Sequence, residues 1–287
     1  MKHLVIAGAT ATGKSSLALQ IAQENNAVIF NCDSRQVYKE VPILSACPLE
    51  NEKKLTPHFL YDFLDGNQKI DVMQYLMLVK DTIKKIKNKK IIFVGGTGFY
   101  IKAILEGLSP IPKVSPEIIE ELNSKLQKDG VEKLQKELQE IDPILTNRLE
   151  KNNSQRIIRG LSVFYSSGKT LSHFQNLPKE KIIKADFETQ IVSRPKDELE
   201  KRIKKRIDIM FDIGAVEEIE ELLEKKYEKS APVLQTIGVA EISKMLNNEI
   251  STDECKEQIL IKTRQYAKKQ RTWFKNQLMD YDCIHKQ

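Results

Sequence analysis

The chain has 287 residues, which is enough for one large domain or two modest domains with a proper core. Charged residues make up 30% and hydrophobic residues 40% of the sequence, a composition typical of soluble globular proteins. The net charge of +6 is modest and by itself gives only a hint of a polyanionic partner.

Neither the hydropathy nor the cysteine pattern indicates a membrane protein or a secreted one. No apolar run reaches the length of about 18 residues that a membrane span requires. The four cysteines, Cys32, Cys47, Cys255 and Cys283, are scattered without a C-x-x-C pair, which predicts reduced thiols and no structural zinc. Because the first predicted strand begins almost at residue 1, we expect a cytoplasmic protein without a signal peptide.

The first element of the chain is a strand, loop and helix with a phosphate-loop pattern. An apolar run, His3–Ala7, precedes the loop, and residues from Ser16 onward have helical spacing. This context is what the pattern G-x-x-x-x-G-K-[ST] requires before it indicates phosphate binding. The loop residues are Gly8, Ala9, Thr10, Ala11, Thr12, Gly13, Lys14 and Ser15. We expect backbone amides and Lys14 to hold a diphosphate or triphosphate, with the Ser15 hydroxyl on Mg²⁺.

The next elements predict a parallel sheet. Ala27–Cys32 reads as a second strand and is followed by a polar loop, Asp33–Tyr38. His58–Phe63 is a candidate third strand, and the apolar spacing predicts a helix over 72–87. Asp33 follows the second predicted strand directly. Three roles are open for a carboxylate at this position: a general base, a contact to Mg²⁺, or a cap of a helix or turn.

A second glycine-rich turn follows the apolar strand Ile91–Val94. In an open parallel sheet ligands bind at the carboxyl ends of the strands, so the loops 8–15, 33–38 and 95–98 are expected to converge. Many phosphate-loop NTPases carry a metal-binding aspartate after such a strand, but here no acid follows Val94. The absence of this acid weakens an ATPase interpretation. Thr97 would then serve as a hydrogen-bonding group. The alternative is that the turn needs its glycines only for its tight geometry.

The remainder of the chain is mostly helical. From Ser115 the pattern predicts consecutive helices without a strand, and strand character returns at Thr189–Ser193. We therefore predict an α/β fold, a parallel-sheet core with a phosphate loop (1–114 and 187–287), an all-helical insertion (115–186) and a helical C-terminal region.

Three basic segments are candidate anion contacts. Arg202 and Arg206 lie four residues apart, either as a clamp on a diphosphate or as part of a solvated basic face. The segment Gln155–Arg159 places cations in the insertion. Thr263–Lys275 interleaves cations with aromatic residues, as nucleic-acid contacts do, although Trp273 and Phe274 are equally compatible with a packed core.

Taken in order, these segments resemble the tRNA dimethylallyltransferase family. The resemblance spans essentially the whole chain and rests on seven blocks: Gly8–Ser15, Asp33–Tyr38, Gly95–Ile101, Gln155–Arg159, Ser167–Lys169, Thr236–Gly238 and Thr263–Gln270 with Thr272–Phe274. It implies transfer of a dimethylallyl group from dimethylallyl diphosphate to the exocyclic amine of an adenosine. In that family the adenosine lies immediately 3′ of the anticodon in tRNAs that read codons beginning with U.

The resemblance also implies roles for individual residues. Asp33 matches the general base and Thr97 the threonine beside the target amine, while Arg202 fits an arginine that neutralises diphosphate. The phosphate loop would hold the allylic donor, with Mg²⁺ as cofactor and no nucleotide. Residues that match tRNA-contacting segments are Asp33, Ser34, Arg35, Gln36, Gln155, Arg156, Ile157, Ile158, Arg159, Lys268, Lys269, Gln270 and Arg271. The expected partner is the anticodon stem-loop, bound by a monomer.

Two departures and two rival interpretations accompany the resemblance. Ala9 and Ser15 replace the usual proline and threonine of the loop, and Cys47 stands where a basic residue is common, which weakens any substrate contact from that segment. One rival is a kinase for a small molecule or nucleotide, with ATP as donor. The other is a nucleotide-dependent RNA-binding protein without catalysis, in which Asp33 would be dispensable.

Overall fold

The computed structural model describes residues 2–86, 88–150, 152–278 and 281–285, the last four by their backbone only. Two compact units make up the chain. The first unit is formed by Met1–Leu105 and Ile182–Gln287, and the second by Glu106–Lys181.

A parallel sheet forms the centre of the first unit. Its strands among the described residues are β1 (His3–Gly8), β2 (Val28–Asn31), β3 (His58–Phe59), β4 (Ile91–Gly95), β5 (Phe187–Ser193) and β6 (Asp282–His285). They lie in the order β3-β2-β4-β1-β5-β6, and every neighbouring pair is parallel. The central strands β1, β2 and β4 are almost entirely apolar because helices cover both faces of such a sheet. This confirms the predicted α/β fold.

Nine helices of the described chain belong to the first unit or begin in it. They are α1 (Lys14–Glu24), α2 (Pro42–Ser45), α3 (Glu50–Leu55), α4 (Val72–Lys85), α5 (Gly98–Glu106), then after the second unit α11 (Lys196–Asp212), α12 (Ala215–Glu224), α13 (Val239–Leu246) and α14 (Thr252–Gln277). A short 3₁₀ helix covers Pro232–Gln235. The longest helix, α14, starts at a capping box in which the Ser251 hydroxyl accepts from the Glu254 N–H.

The second unit is helical throughout its regular elements. Its helices are α6 (Pro116–Asp129), α7 (Val131–Ile141), α8 (Pro143–Thr146), α9 (Ser154–Ser167) and α10 (Leu171–Gln175). Leu134, Leu138 and Leu161 are fully buried at its centre. The buried Asp142 carboxylate accepts from the N–H groups of Leu145 and Ser172, so that it caps α8 and fixes the start of α10.

The boundaries of the helical unit differ from the predicted range 115–186. Leu108 and Glu180 exchange two backbone hydrogen bonds, of 3.0 and 2.8 Å, as an isolated bridge. This pairing joins the two ends of the unit, which therefore runs from 106 to 181. Such a pairing leaves no periodic signal in the sequence.

No helix among the described residues is long and apolar enough to cross a membrane. The side chains of Cys32, Cys47 and Cys255 are buried free thiols.

Candidate active site

The phosphate loop lies between β1 and α1, as the sequence predicts. Gly13 occupies the left-handed region (φ 87°) and precedes the first residue of α1, and Ala11 is also left-handed (φ 63°). A Cβ on Gly8 would come within 2.6 Å of the Val192 carbonyl oxygen, so the close approach of β5 requires glycine here. No described side chain caps α1, which leaves its first N–H groups for an anion.

Two arginines, one directly after β5 and one on α11, contact this loop. Arg202 donates from Nε to the Ala11 carbonyl at 2.9 Å, and Arg194 donates from Nε to the Thr12 carbonyl at 2.9 Å. Their terminal nitrogens lie 3.3 and 3.7 Å from the position that a Cβ on Gly13 would take. Both guanidinium groups therefore stand beside the loop where phosphate oxygens would bind.

Lys14, Arg206 and Asp33 form a coupled group of charges. Burial lowers the pKa of Lys14 to about 8, with Asp33 opposing this shift and Arg206 adding to it. Burial also lowers the pKa of Arg206, and Asp33 again opposes the shift. The buried Nε of Arg206 has no hydrogen-bond partner among the described residues. An unsatisfied guanidinium nitrogen beside the phosphate loop is what an anionic ligand would complete.

Asp33 lies two residues after the end of β2 and is held by its neighbours. Its N–H donates to the Asn31 side-chain oxygen at 2.7 Å, and its Oδ1 accepts from the Arg35 N–H at 3.0 Å. The other carboxylate oxygen lies 3.3 Å from the position of a Cβ on Gly96. One oxygen therefore stabilises the turn, while the second faces the glycine-rich loop.

Thr97 is fixed against the same strand end. Its N–H donates to the Cys32 carbonyl at 3.1 Å, and its Oγ1 accepts from the Ser34 N–H at 2.8 Å. A Cβ on Gly95 would lie 2.2 Å from the backbone of Cys32, so only glycine allows β2 and β4 to approach this closely. The structure thus brings together Asp33 and Thr97, the two predicted catalytic residues.

The glycines of this turn also accommodate α14. A Cβ on Gly98 would come within 2.1 Å of the Trp273 ring, and a Cβ on Gly96 within 2.3 Å of the Gln270 amide nitrogen. Trp273 is half-buried on the turn, and Phe274 is buried. Of the two roles left open for these aromatic residues, packing is the one that the structure supports.

The residues predicted to contact tRNA fall into distinct environments. Arg35 donates to the Pro232 carbonyl at 2.8 Å, and Gln36 donates to the Ala46 carbonyl at 2.6 Å, so both side chains hold loops of the protein. Ser34 accepts from the Thr97 hydroxyl at 3.2 Å. On α14 the side chains of Lys268, Lys269 and Arg271 are exposed.

Two predicted tRNA contacts are buried inside the protein. Ile157 has 1% exposure and belongs to the core of the helical unit, and Ile158 is partly buried beside that core, whereas Gln155, Arg156 and Arg159 are exposed on α9. Gln270 has 6% exposure. The Ile157 side chain therefore packs in the core, because a contiguous motif on a helix places part of its members there.

The segment that departs from the family pattern is packed into the structure. Cys47 is buried, and burial raises the pKa of its thiol to about 12. Its sulfur lies 3.3 Å from the Ser45 hydroxyl. The cysteine therefore supplies an apolar contact and no charge at this position.

Arg194, Arg206 and Gln270 lie at the site, although their sequence patterns gave little indication of this position. Arg194 directly follows β5 and precedes Pro195. The other site residues were predicted from this same kind of position, at the carboxyl end of a parallel strand. Burial in the structure is what distinguishes Arg206 from the solvent-exposed basic residues of α11. The contact of Gln270 with the phosphate loop spans 260 residues and leaves no local signal.

Comparison with known proteins gives a family and several similar proteins. The IPP transferase family model matches residues 36–277. The tRNA dimethylallyltransferase of Chelativorans sp. (strain BNC1) is 40% identical over 277 residues, covering 96% of this chain and 95% of the relative. That of Nostoc punctiforme is 40% identical over 276 residues, covering 96% and 88%.

Solved structures with the same fold agree with these relatives. A eukaryotic dimethylallyltransferase acting on tRNA superposes with a TM-score of 0.85 at 27% identity, covering 99% of this chain and 73% of its own. The tRNA isopentenylpyrophosphate transferase of Bacillus halodurans gives 0.67 at 26% identity, covering 99% and 89%. These similarities confirm the predicted resemblance and favour a prenyltransferase over a kinase. The chain belongs to the IPP transferase family.

Proposed function

We propose that the protein transfers a dimethylallyl group from dimethylallyl diphosphate to the N6 amine of the adenosine 3′-adjacent to the anticodon, in tRNAs that read codons beginning with U. The observation that carries the proposal is that the phosphate loop, Asp33 and Thr97 come after three neighbouring parallel strands, with Thr97 hydrogen-bonded to the turn that carries Asp33. A proton acceptor therefore stands next to a site for a diphosphate leaving group. The proposal takes the protein to act as a cytoplasmic monomer, as the sequence predicts.

The phosphate loop and its cations would bind the diphosphate of the donor. Lys14, Arg202 and Arg206 supply positive charge, and the N-terminus of α1 supplies free N–H groups. As the bond between the allylic carbon and the diphosphate oxygen lengthens, negative charge grows on the leaving group. Cations already held in place stabilise that charge without reorganisation.

The residues present fit a Mg²⁺ ion at the loop. Ser15 is exposed at the start of α1, and Mg²⁺ commonly keeps several waters while taking few protein ligands beside phosphate oxygens. When bound, the ion would neutralise diphosphate charge. The chain's own contribution is the Ser15 hydroxyl.

Asp33 and Thr97 would act on the adenine amine. The amine is a poor nucleophile because its lone pair is delocalised into the ring. Its lone pair forms the new N–C bond while the C–O bond breaks and that electron pair leaves with diphosphate. The amine proton passes to the Asp33 carboxylate, and the Thr97 hydroxyl orients the amine. Because the reacting atom lies within a stack of bases, the adenosine must be extruded from the anticodon loop.

Each unit offers its own cationic surface for tRNA. On α14 the exposed Lys268, Lys269 and Arg271 suit phosphate contacts, and on α9 the exposed Arg156 and Arg159 do so. Such contacts would position the RNA, while the groups around Asp33 and Thr97 would select the base.

The test is a donor comparison with unmodified tRNA and Mg²⁺. We expect product with dimethylallyl diphosphate alone and none with ATP alone, with the wild-type rate unchanged when ATP is added. Phosphorylation of any acceptor by ATP, without prenyl transfer, would favour the kinase. tRNA binding without either reaction would favour the RNA-binding protein.

A further inference from the structure

The side chain of Gln270 connects the phosphate loop with the turn that carries Thr97. Its Oε1 accepts from the Thr10 N–H at 2.9 Å, and its Nε2 donates to the Gly96 carbonyl at 2.9 Å. We infer that Gln270 is a positioning residue that sets the diphosphate-binding loop against the catalytic turn. The kinetic effects expected from this inference rest on the proposed function. The bridge itself, formed by the two hydrogen bonds of Gln270, does not.

The sheet alone does not hold these two loops together. The last residue pair between β1 and β4 is Ala7 with Gly95. Thr10 and Gly96 both lie beyond that pair, where the ladder has ended. Gln270 therefore supplies a direct link between the loops at the point where substrate chemistry would occur.

The bridge needs a side chain that both accepts and donates a hydrogen bond, as a primary amide does. The Thr10 N–H can only donate and the Gly96 carbonyl can only accept, so the connecting side chain must offer one acceptor and one donor. This also fixes the orientation of the amide. A glutamate would accept from Thr10 but would turn lone pairs toward the Gly96 oxygen, and a methionine of similar length would offer neither bond.

The position of Gln270 favours a rigid link. It is 6% exposed, and buried Ala267 and Phe274 anchor α14 on either side of it. Gly96 leaves the space that the amide occupies, since a Cβ there would lie 2.3 Å from Nε2. The flanking Lys268 and Lys269 point to solvent, so Gln270 differs from its neighbours in the basic segment.

The test uses two substitutions and a matched pair of controls. Gln270→Met and Gln270→Glu remove one or both bonds. Gln258→Met and Gln258→Glu make the same changes at a partly exposed position on α14, outside the basic segment Thr263–Lys275. With saturating tRNA and dimethylallyl diphosphate, we expect kcat to fall by about 10- to 100-fold in both Gln270 variants, since misplaced reacting groups lose rate. The KM for tRNA should change less than twofold, and the controls should match wild type.

The pH profile separates positioning from a general loss of structure. A protonated glutamic acid has both a donor and an acceptor, so it restores the pattern of the amide. The activity of Gln270→Glu relative to wild type should therefore rise at least threefold between pH 8 and pH 6. The activity of Gln270→Met relative to wild type should stay constant over this range, because a thioether side chain does not titrate.

A second readout does not depend on catalysis. Hydrogen exchange of the Thr10 amide should accelerate in Gln270→Met but not in Gln258→Met. Wild-type kcat in Gln270→Met, or unchanged exchange at Thr10, would overturn the inference even if the wild-type enzyme makes prenylated tRNA. If wild type makes no such product while Thr10 exchange responds as expected, the proposed function fails and the bridge stands.

Discussion

The Thr97 hydroxyl accepts a hydrogen bond from the Ser34 N–H at 2.8 Å, which fixes the threonine beside the turn that carries Asp33. Thr97 also donates to the Ser34 hydroxyl at 3.2 Å. The two residues lie in the loops after β2 and β4, 63 positions apart in the sequence. The catalytic roles proposed for Asp33 and Thr97 therefore depend on one local network.

Substitution of Asp33 should separate chemistry from binding. Asp33→Asn keeps an acceptor for the Arg35 N–H but removes the carboxylate base. We expect the single-turnover rate to fall by about 10²- to 10⁴-fold, with tRNA affinity within threefold of wild type. Full turnover in this variant would contradict the base assignment.

Substitution of Thr97 should show a graded effect. Thr97→Val has a similar shape but no hydroxyl, so the Ser34 N–H loses its acceptor and the amine its orienting group. We expect a fall of about 10- to 100-fold in kcat. Thr97→Ser, which keeps the hydroxyl, should retain most of the activity. Wild-type kcat in Thr97→Val would contradict the role assigned to the hydroxyl.

We expect titration of Lys14 to limit the use of dimethylallyl diphosphate at alkaline pH. Its pKa is lowered to about 8 by burial, so the charged form that attracts diphosphate disappears as the pH rises through 8. We expect kcat/KM for dimethylallyl diphosphate to decline above this pH, since that parameter reports the free enzyme. In Lys14→Arg the residual activity should lack this decline.

The same lysine should reduce stability at neutral pH. Its pKa in the folded protein is below the ordinary value of 10.5, so the unfolded chain binds more protons between pH 8 and 10.5. The cost of burying the charge is therefore fully present below pH 8 and disappears as the pH rises toward 10.5. At pH 7, Lys14→Met should melt at a higher temperature than wild type. A lower melting temperature would contradict this.

The cationic face of α14 should bind RNA through phosphates. Lys268→Ala combined with Lys269→Ala should weaken tRNA binding and reduce the slope of log affinity against log salt by up to about 1.5. Because both side chains are exposed, the melting temperature should not change. An unchanged salt slope would remove these lysines from the interface.

On α9 a pair of neighbouring residues distinguishes packing from contact. Ile157→Ala should destabilise the protein by about 2–5 kcal/mol, since it leaves a cavity in the core of the helical unit. Arg156→Ala should leave stability unchanged and weaken tRNA binding. Urea unfolding and binding isotherms of both variants provide the comparison, and a stability loss in Arg156→Ala would contradict it.

The sequence predicted those site residues that directly follow strands. Asp33 and Thr97 were found because parallel strands end at one edge of a sheet, and Lys14 because its motif has a defined context. The hydrogen bonds of Gln270 to Gly96 and Thr10 were not predicted, because these partners lie 174 and 260 residues away in the sequence. The strand β6 was not predicted, since four residues at the end of the chain give too short a pattern.

The central claim is tested most directly by locating the transferred group on RNA. Two transcripts of one tRNA that reads a codon beginning with U would be incubated with the protein, dimethylallyl diphosphate and Mg²⁺ but no ATP. They would differ only in carrying adenosine or guanosine immediately 3′ of the anticodon. Mass spectrometry of nuclease fragments should show one added dimethylallyl group on the anticodon fragment of the adenosine transcript alone. No mass gain in that fragment, or an equal gain in both transcripts, would contradict the proposed function.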